Sequence, residues 1–295
     1  MEESTTDPKI ALFQSKYTPL AGAGSSGTFY LQSSPELALK RALVSGAKAI
    51  FHAGSVFRNG EADATHRPEF LMLEFYRVGA DLNDLMNETE AFVSALFREA
   101  KEQGFTPRCT FDGTFERLRL PELFKASTGV DLLASFKGED LARTLEAQGL
   151  GPFPEDSEFE EVFHQALVER VQERLKNIPA SFVYDYPAPL ALLSRLDPED
   201  SRIARRVEAY IGATEIANGF EELTDADEYR RRFTEDLRLR SKRGLPLPPM
   251  PEGFLTSMEL GLPPCAGIAL GLDRLIQLAC GAEDLSEITS FVVPE

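Results

Sequence analysis

The stretch Phe51–Tyr76, FHAGSVFRNGEADATHRPEFLMLEFY, constrains this chain more than any other. It reads as two apolar strands joined by a polar loop. Arg58 closes the first strand, and His66 and Phe70 open the second. Strand side chains alternate, so Phe70, Met72, Glu74 and Tyr76 share one face. An aromatic ring, a carboxylate and a phenol then lie together beside a loop that begins with an arginine. Those groups suit a flat base, a phosphate and an amine.

Composition narrows the class of molecule. At 295 residues and 43% hydrophobic, the chain can bury one large core or two modest ones. No apolar run approaches the roughly 18–20 residues that span a bilayer. The start, MEESTTDPKI, is acidic and lacks the basic and apolar regions of a signal peptide. A cytoplasmic location and no membrane partner are expected, with disorder only at the first few residues. Cys109, Cys265 and Cys280 form neither a CxxC nor a zinc spacing with the histidines, and read as buried small apolar residues. Magnesium stays open, because it needs only oxygen ligands. The formal charge of −17 argues against broad nucleic-acid binding, which rests on a basic face. The one basic run, Arg230-Arg231-Arg232 onward to Arg243, is interleaved with Glu235 and Asp236. It reads as a solvated helix face, with docking of an acidic partner as the alternative.

Short β-like pieces at Ile10–Phe13 and Thr28–Leu31 flank a flexible Ala21–Gly27 segment. A helix follows to about Val44. Ser34 suits its N-cap, Pro35 its first position, Glu36 the positive end of its dipole and Gly46 its stop. Beyond the hairpin, Leu82, Leu85, Met86, Thr89, Phe92, Val93, Leu96 and Phe97 recur at helical spacing. Residues 105–180 read as a mostly helical insertion without a chemical motif, its clearest helix being Glu158–Leu175. Phe182–Tyr186 and Arg206–Ile211 read as strands. In Glu215–Leu223, EIANGFEEL, strict alternation puts Asn218 and Glu222 on one face and Glu215 on the other. A bulge at Asn218-Gly219 would reunite the acids. Thr224 to Asp227 has the spacing of a capping box for a charged helix to about Lys242. A last strand, Ala266–Leu270, runs into a helix over Leu272–Cys280.

Arg274 falls in the first turn of that helix, where the dipole disfavours a cation by several tenths of a kcal/mol. Helix N-termini attract anions. An arginine there makes sense if it shares an anion, such as a triphosphate, with the backbone amides.

Phe57-Arg58-Asn59, then His66 to Phe70, then Glu74 resembles motif 2 of the class II aminoacyl-tRNA synthetases. That motif is an FRxE segment, a variable loop, H/R-x-x-x-F and an acid. GIALGLDRLIQLACG (Gly267–Gly281) resembles motif 3 of the same class. The resemblance implies an α+β catalytic domain, an antiparallel sheet flanked by helices, that activates an amino acid with ATP. It implies catalytic roles for Arg58 at the α-phosphate and Arg274 at the triphosphate, with Phe70 stacked on adenine. Asn59, His66, Arg67, Glu215, Ile216 and Gly271 complete the implied ATP site. Mg2+ would bridge the phosphates, held by Glu215. The attacking carboxylate is already ionised, so positioning and charge neutralisation suffice without a general base.

The longer segments SSPELALKRAL (33–43), HRPEFLMLEFYR (66–77), EIANGFEELTDADEYRRRF (215–233) and GLPPCAGIALGLDRL (261–275) narrow the resemblance. From about Thr5 to Phe291 the chain is similar to the elongation factor P lysine ligase family, truncated homologues of lysyl-tRNA synthetases. Such enzymes lack an anticodon-binding barrel, and this chain leaves no room for one. A single catalytic domain over 1–295 is therefore expected, with the insertion at about 105–180. The family adenylates (R)-β-lysine and transfers it to a lysine of elongation factor P. It implies an amine site of Ser34, Pro35, Glu36 and Tyr76 with Asn218, Glu222 and Ala269. Glu36 and Glu222 would bind ammonium groups. Ala269 stands where tRNA-charging lysine enzymes usually have glycine. The implied partners are lysine or (R)-β-lysine and elongation factor P, not tRNA.

The chain departs from the pattern in three places. Gly60 stands where the family has glutamate, with Glu61 one position on. Arg67 replaces an asparagine. The first class II motif, which builds the dimer interface, corresponds only to a remnant near Met1–Phe13, so a homodimer and a monomer are both open. Two alternatives stand beside this reading: a class II enzyme with a carrier protein or tRNA as acceptor, and a non-catalytic paralogue.

Overall fold

The computed structural model describes residues 5–20, 26–63 and 66–289. Its strands are β1 (Gln14–Tyr17), β2 (Gly27–Tyr30), β3 (Ala49–Phe57), β4 (Glu69–Val78), β5 (Glu116–Arg119), β6 (Ala180–Pro187), β7 (Ile203–Ile211), β8 (Thr214–Glu221) and β9 (Cys265–Gly271). Its helices are α1 (Glu36–Val44), α2 (Leu82–Glu102), α3 (Leu120–Thr128), α4 (Gly138–Glu146), α5 (Phe159–Ala166), α6 (Gln172–Leu175), α7 (Ala226–Lys242), α8 (Glu252–Glu259) and α9 (Leu272–Cys280). Every strand pair but β5–β6 for which a register is defined is antiparallel, as expected of the α+β class. None of the described helices is long and apolar enough to cross a membrane.

The chain divides into two compact units. The first holds Met1–Gly79, Leu223–Gln277 and Ala282–Glu295. Its sheet runs β3-β4-β9. In β4 the alternation holds: Met72, Glu74 and Tyr76 are buried and Phe70 half-buried on one face. Opposite them on β9 stand small residues, with Gly271 across from Met72, Ala269 from Glu74 and Gly267 from Tyr76. Large side chains on one strand thus face almost none on the next.

Several local expectations shift. Pro35, not Ser34, is the N-cap of α1. Ser34 lies one residue earlier, and its hydroxyl still accepts the Glu36 N–H at 3.0 Å. Gly46 follows the helix at φ +106°, a conformation that favours glycine. In α7 the N-cap is Asp225, which accepts from the N–H groups of Asp227 and Glu228. The capping box from Thr224 does not form. The first strand is β1, paired with β2, and not Ile10–Phe13. Residues 7–10 instead turn, the Ile10 N–H reaching the Asp7 carbonyl. Ala21 to Ser25 lie outside the described residues, as do Met1 to Ser4, so the expectations of flexibility and terminal disorder there do too.

The second unit holds Ala80–Glu222 and Leu278–Gly281. Its strands run β8-β7-β6-β5. Asp81 caps α2 through a reciprocal box with Asp84, and the helix buries Leu82, Leu85, Met86, Thr89, Val93 and Phe97. Between 120 and 175 the expected insertion is helical, with Leu120, Phe124, Leu145, Phe163, Val171 and Leu175 almost fully buried in a core shared with Val183 and Tyr186 of β6 and Ala204 and Tyr210 of β7. The helix expected over Glu158–Leu175 is broken by a π-helical turn at Leu167–Val171. The wider turn keeps both Leu167 and Val171 in the core while Val168 faces water. Of the cysteines, Cys265 is buried as expected, but Cys109 and Cys280 are only partly so.

A bulge in β8 decides which of its side chains share a face. Ala209 pairs with Ala217 and Tyr210 with Glu215, leaving Ile216 as the extra residue. The bulge therefore lies at Ile216 and not at Asn218-Gly219. Its effect is the one anticipated: Glu215 joins the face of Asn218.

Candidate active-site residues

In the first unit, β3, the loop after it and β4 bring two expected nucleotide ligands together. The Arg58 guanidinium lies over the Phe70 ring, 5.2 Å from its centroid. Among the described residues its buried Nε has no hydrogen-bond partner. The Arg58 N–H donates to the Pro68 carbonyl at 2.8 Å, closing the base of the loop. The following Asn59 N–H donates to Ala11 at 2.9 Å. Gly60 has φ +81°, which accounts for glycine at this departure.

The loop also reaches Arg274, in the first turn of α9. One Arg274 nitrogen donates to His66 Nε2. Arginine has donors only, so Nε2 must accept and the ring proton lies on Nδ1. Nδ1 faces both Asp63 oxygens at 2.9 Å. Asp273 accepts the Leu71 N–H at 3.0 Å, pinning the start of α9 to β4. Burial pushes the Asp273 carboxyl up, and that hydrogen bond opposes the shift. Arg67 pairs with Asp284 at 3.0 Å. Gly271 ends β9 opposite Met72.

The expected amine ligands of this unit form a second cluster, built around a residue outside the expected set. Glu74 is buried, and accepts from Tyr76 at 2.5 Å and from Ser34 at 2.7 Å. Burial, and then the charge of Glu36, push its carboxyl from 4.5 up to about 7, against those two hydrogen bonds. Lys40 was also missed. It is fully buried, donates to Glu36 at 2.5 Å and reaches the Tyr229 hydroxyl at 3.1 Å. The i,i+4 spacing of Glu36 and Lys40 is the signal that could have found it. Pro35 holds the turn into α1, and Ala269 faces Glu74 across the sheet.

The second unit carries Glu215, Ile216, Asn218 and Glu222. The bulge at Ile216 sets Glu215 and Asn218 on the face of Glu208 and Tyr210. Arg206 donates to Asn218 Oδ1 at 3.1 Å and pairs with Glu208, which also accepts from Tyr210. The Arg206 guanidinium covers the Tyr186 ring at 4.3 Å. Burial, then the Glu208 charge, push the Tyr210 phenol well above its ordinary value. Glu222 is buried and forms a single β-bridge with Ser194. Its neighbour Glu221 accepts from Arg205 and Arg195 and from the Leu82 N–H.

The basic run on α7 is paired from Arg230 to Arg238. Arg230 binds Glu252, Arg231 and Arg232 bind Glu228, and Arg238 binds Glu235. Among the described residues no group of three or more His, Cys, Asp or Glu could hold a metal ion unaided.

The sequence matches a known family. The family model for tRNA synthetases class II (D, K and N) matches residues 15–294. The chain belongs to that class II family. Among curated class II relatives, the elongation factor P–(R)-β-lysine ligase of Yersinia enterocolitica serotype O:8 / biotype 1B is 36% identical over 294 residues, covering 99% of this chain and 86% of the relative. The protein of that name from Pectobacterium carotovorum subsp. carotovorum is 37% identical over 293 residues, with the same coverage.

Proposed function

We propose that this protein is an ATP-dependent ligase that activates (R)-β-lysine or lysine as an aminoacyl-adenylate and transfers it to a lysine of elongation factor P. The observation that carries the amine specificity is the buried Glu74 carboxylate between the Ser34 and Tyr76 hydroxyls, with Glu36 beside it. A buried ammonium requires such a partner, since an unpaired one is too costly. Kinship to the two ligases over almost the whole chain supports the choice of acceptor.

In the first step the substrate carboxylate attacks the α-phosphorus of ATP and pyrophosphate leaves. Arg58 neutralises the α-phosphate, offering a planar fork of donors and a fixed charge. Phe70 stacks on adenine, and Arg274 and His66 hold the β- and γ-phosphates with the amides at the start of α9. Asn59, Arg67, Ile216 and Gly271 border the nucleotide. In the second step the acceptor ε-amine attacks the adenylate carbonyl, loses a proton and expels AMP, leaving an amide. Glu36, Glu74 and Glu222 hold substrate ammonium groups, and Asn218 the polar end near the reacting carboxylate.

Magnesium fits the donor chemistry. It keeps waters and needs only one or two carboxylates when substrate phosphates supply the rest. Glu215 would hold it, and its charge would offset that of the phosphates.

We read the enzyme as cytoplasmic and as one catalytic domain, and light scattering tests whether it is a homodimer or a monomer. The main test is incubation with ATP and labelled (R)-β-lysine, with elongation factor P or tRNA as acceptor. Label should appear on the protein lysine. Label on tRNA alone would overturn the acceptor.

A further inference from the structure

Among the described residues Arg240 is the largest fully buried side chain, and it does not belong to the ligand clusters above. It projects from α7 and donates to three main-chain carbonyls. Nε donates to Pro246 at 2.9 Å, and one terminal nitrogen donates to Asp7 at 2.7 Å and Ile10 at 2.8 Å. One turn earlier on the same helix, Asp236 accepts the Thr6 hydroxyl at 2.8 Å. Thr6 and Leu12 are buried, and Asp7 turns the chain by accepting the Lys9 and Ile10 N–H groups. Residues 5–12 are thus a strap stapled to α7 at two successive turns. A buried guanidinium that donates to three carbonyls fixes the path of a chain, and its other terminal nitrogen has no partner among the described residues.

The strap ends on the nucleotide loop. Ala11, one residue after the Arg240 contact at Ile10, accepts the Asn59 N–H at 2.9 Å. The preceding N–H, that of Arg58, is held by Pro68. Two successive amides of the turn that presents Arg58 are therefore fixed from opposite directions, one by the loop itself and one by the strap. Loss of the strap would leave that turn with half its anchoring.

We propose that Arg240 is a positioning residue for nucleotide binding, acting through the strap of residues 5–12 and the Ala11–Asn59 hydrogen bond on the turn that aims Arg58. The proposal rests on the reading of Arg58 as a phosphate ligand. It assigns a role to a segment that otherwise resembles a mere remnant.

Two readouts on the full chain test it. Hydrogen exchange reports the Asn59 amide directly, whatever the protein catalyses. Arg240→Met should speed exchange in a peptide covering 57–61 by about fivefold to tenfold, the worth of one ordinary hydrogen bond, with no change in α2. In ATP–pyrophosphate exchange the same variant should raise the KM for ATP by a similar factor and leave the KM for lysine isomers unchanged. Thr6→Val, a milder cut of the same strap, should move both readouts in the same direction, and the double variant should be no worse than Arg240→Met alone. Thr6→Val also serves if Arg240→Met does not fold. Unchanged exchange at 57–61 overturns the proposal, as does an equal rise in both KM values, which marks a general structural role. A wild-type protein that catalyses no exchange reaction overturns the nucleotide reading and the role resting on it, while the Asn59 amide still decides whether Arg240 governs the loop.

Discussion

Lys40 Nζ lies 2.5 Å from Glu36 Oε1. The carboxylate expected to receive a substrate ammonium already holds one from its own helix. Lys40 also lowers the Glu74 carboxyl, while Glu36 raises it. Lys40→Met should push the Glu74 titration above its present value of about 7, read by side-chain carbon NMR. It should also cost up to about 3 kcal/mol in urea melts, as expected when one partner of a buried pair is removed. An unmoved Glu74 titration would show that Lys40 does not govern the cluster.

Glu74 makes unliganded stability depend on pH. Its carboxyl is raised from 4.5 to about 7, so the native state holds the proton more tightly than the unfolded chain. Stability is full below the unfolded value and is lost as pH rises from about 4.5 through about 7. The whole effect is about 3 kcal/mol. Glu74→Gln should flatten that slope, making the variant the more stable protein at alkaline pH. Denaturation at acid and alkaline pH checks it, and a slope that survives in the variant would exclude Glu74 as its source.

Arg274 should matter for the chemical step. Removing one preorganised charge donor costs about 3 kcal/mol, roughly a hundredfold in rate. Arg274→Ala should suppress pyrophosphate exchange to that extent. Near-normal exchange would remove Arg274 from the mechanism.

Glu222 is buried, and its charge should be read by the substrate amine. Glu222→Gln keeps the shape and removes the charge. Affinity for lysine isomers should fall by about 2 kcal/mol or more, roughly thirtyfold. Norleucine, which has no side-chain amine, should bind as before. Equal losses for lysine and norleucine would mean that Glu222 acts through structure and not through charge.

Legibility in the sequence followed the reach of each rule. Phe70, Met72, Glu74 and Tyr76 share a face because the period of two is strict within an unbroken strand. Arg274 was found because a cation at a helix start contradicts the dipole. The bulge was sought at Asn218-Gly219, where the sequence carries a turn signal, yet it formed at Ile216, an apolar residue without one. Arg240 stayed hidden for another reason. Its partners are backbone carbonyls, and no local pattern announces them.

A strand that counts by twos has a parity, and Ile216 resets it. The two ends of β8 consequently keep separate counts, one for Glu215 and one for Asn218. A single-residue deletion or insertion between Ile216 and Asn218 would turn the Asn218 amide away from the face it shares with Glu215, while Glu215 stayed where it is. Length changes in this strand should therefore survive in pairs and fail singly. Variation among natural sequences should concentrate in which residues fill the strand, and not in how many.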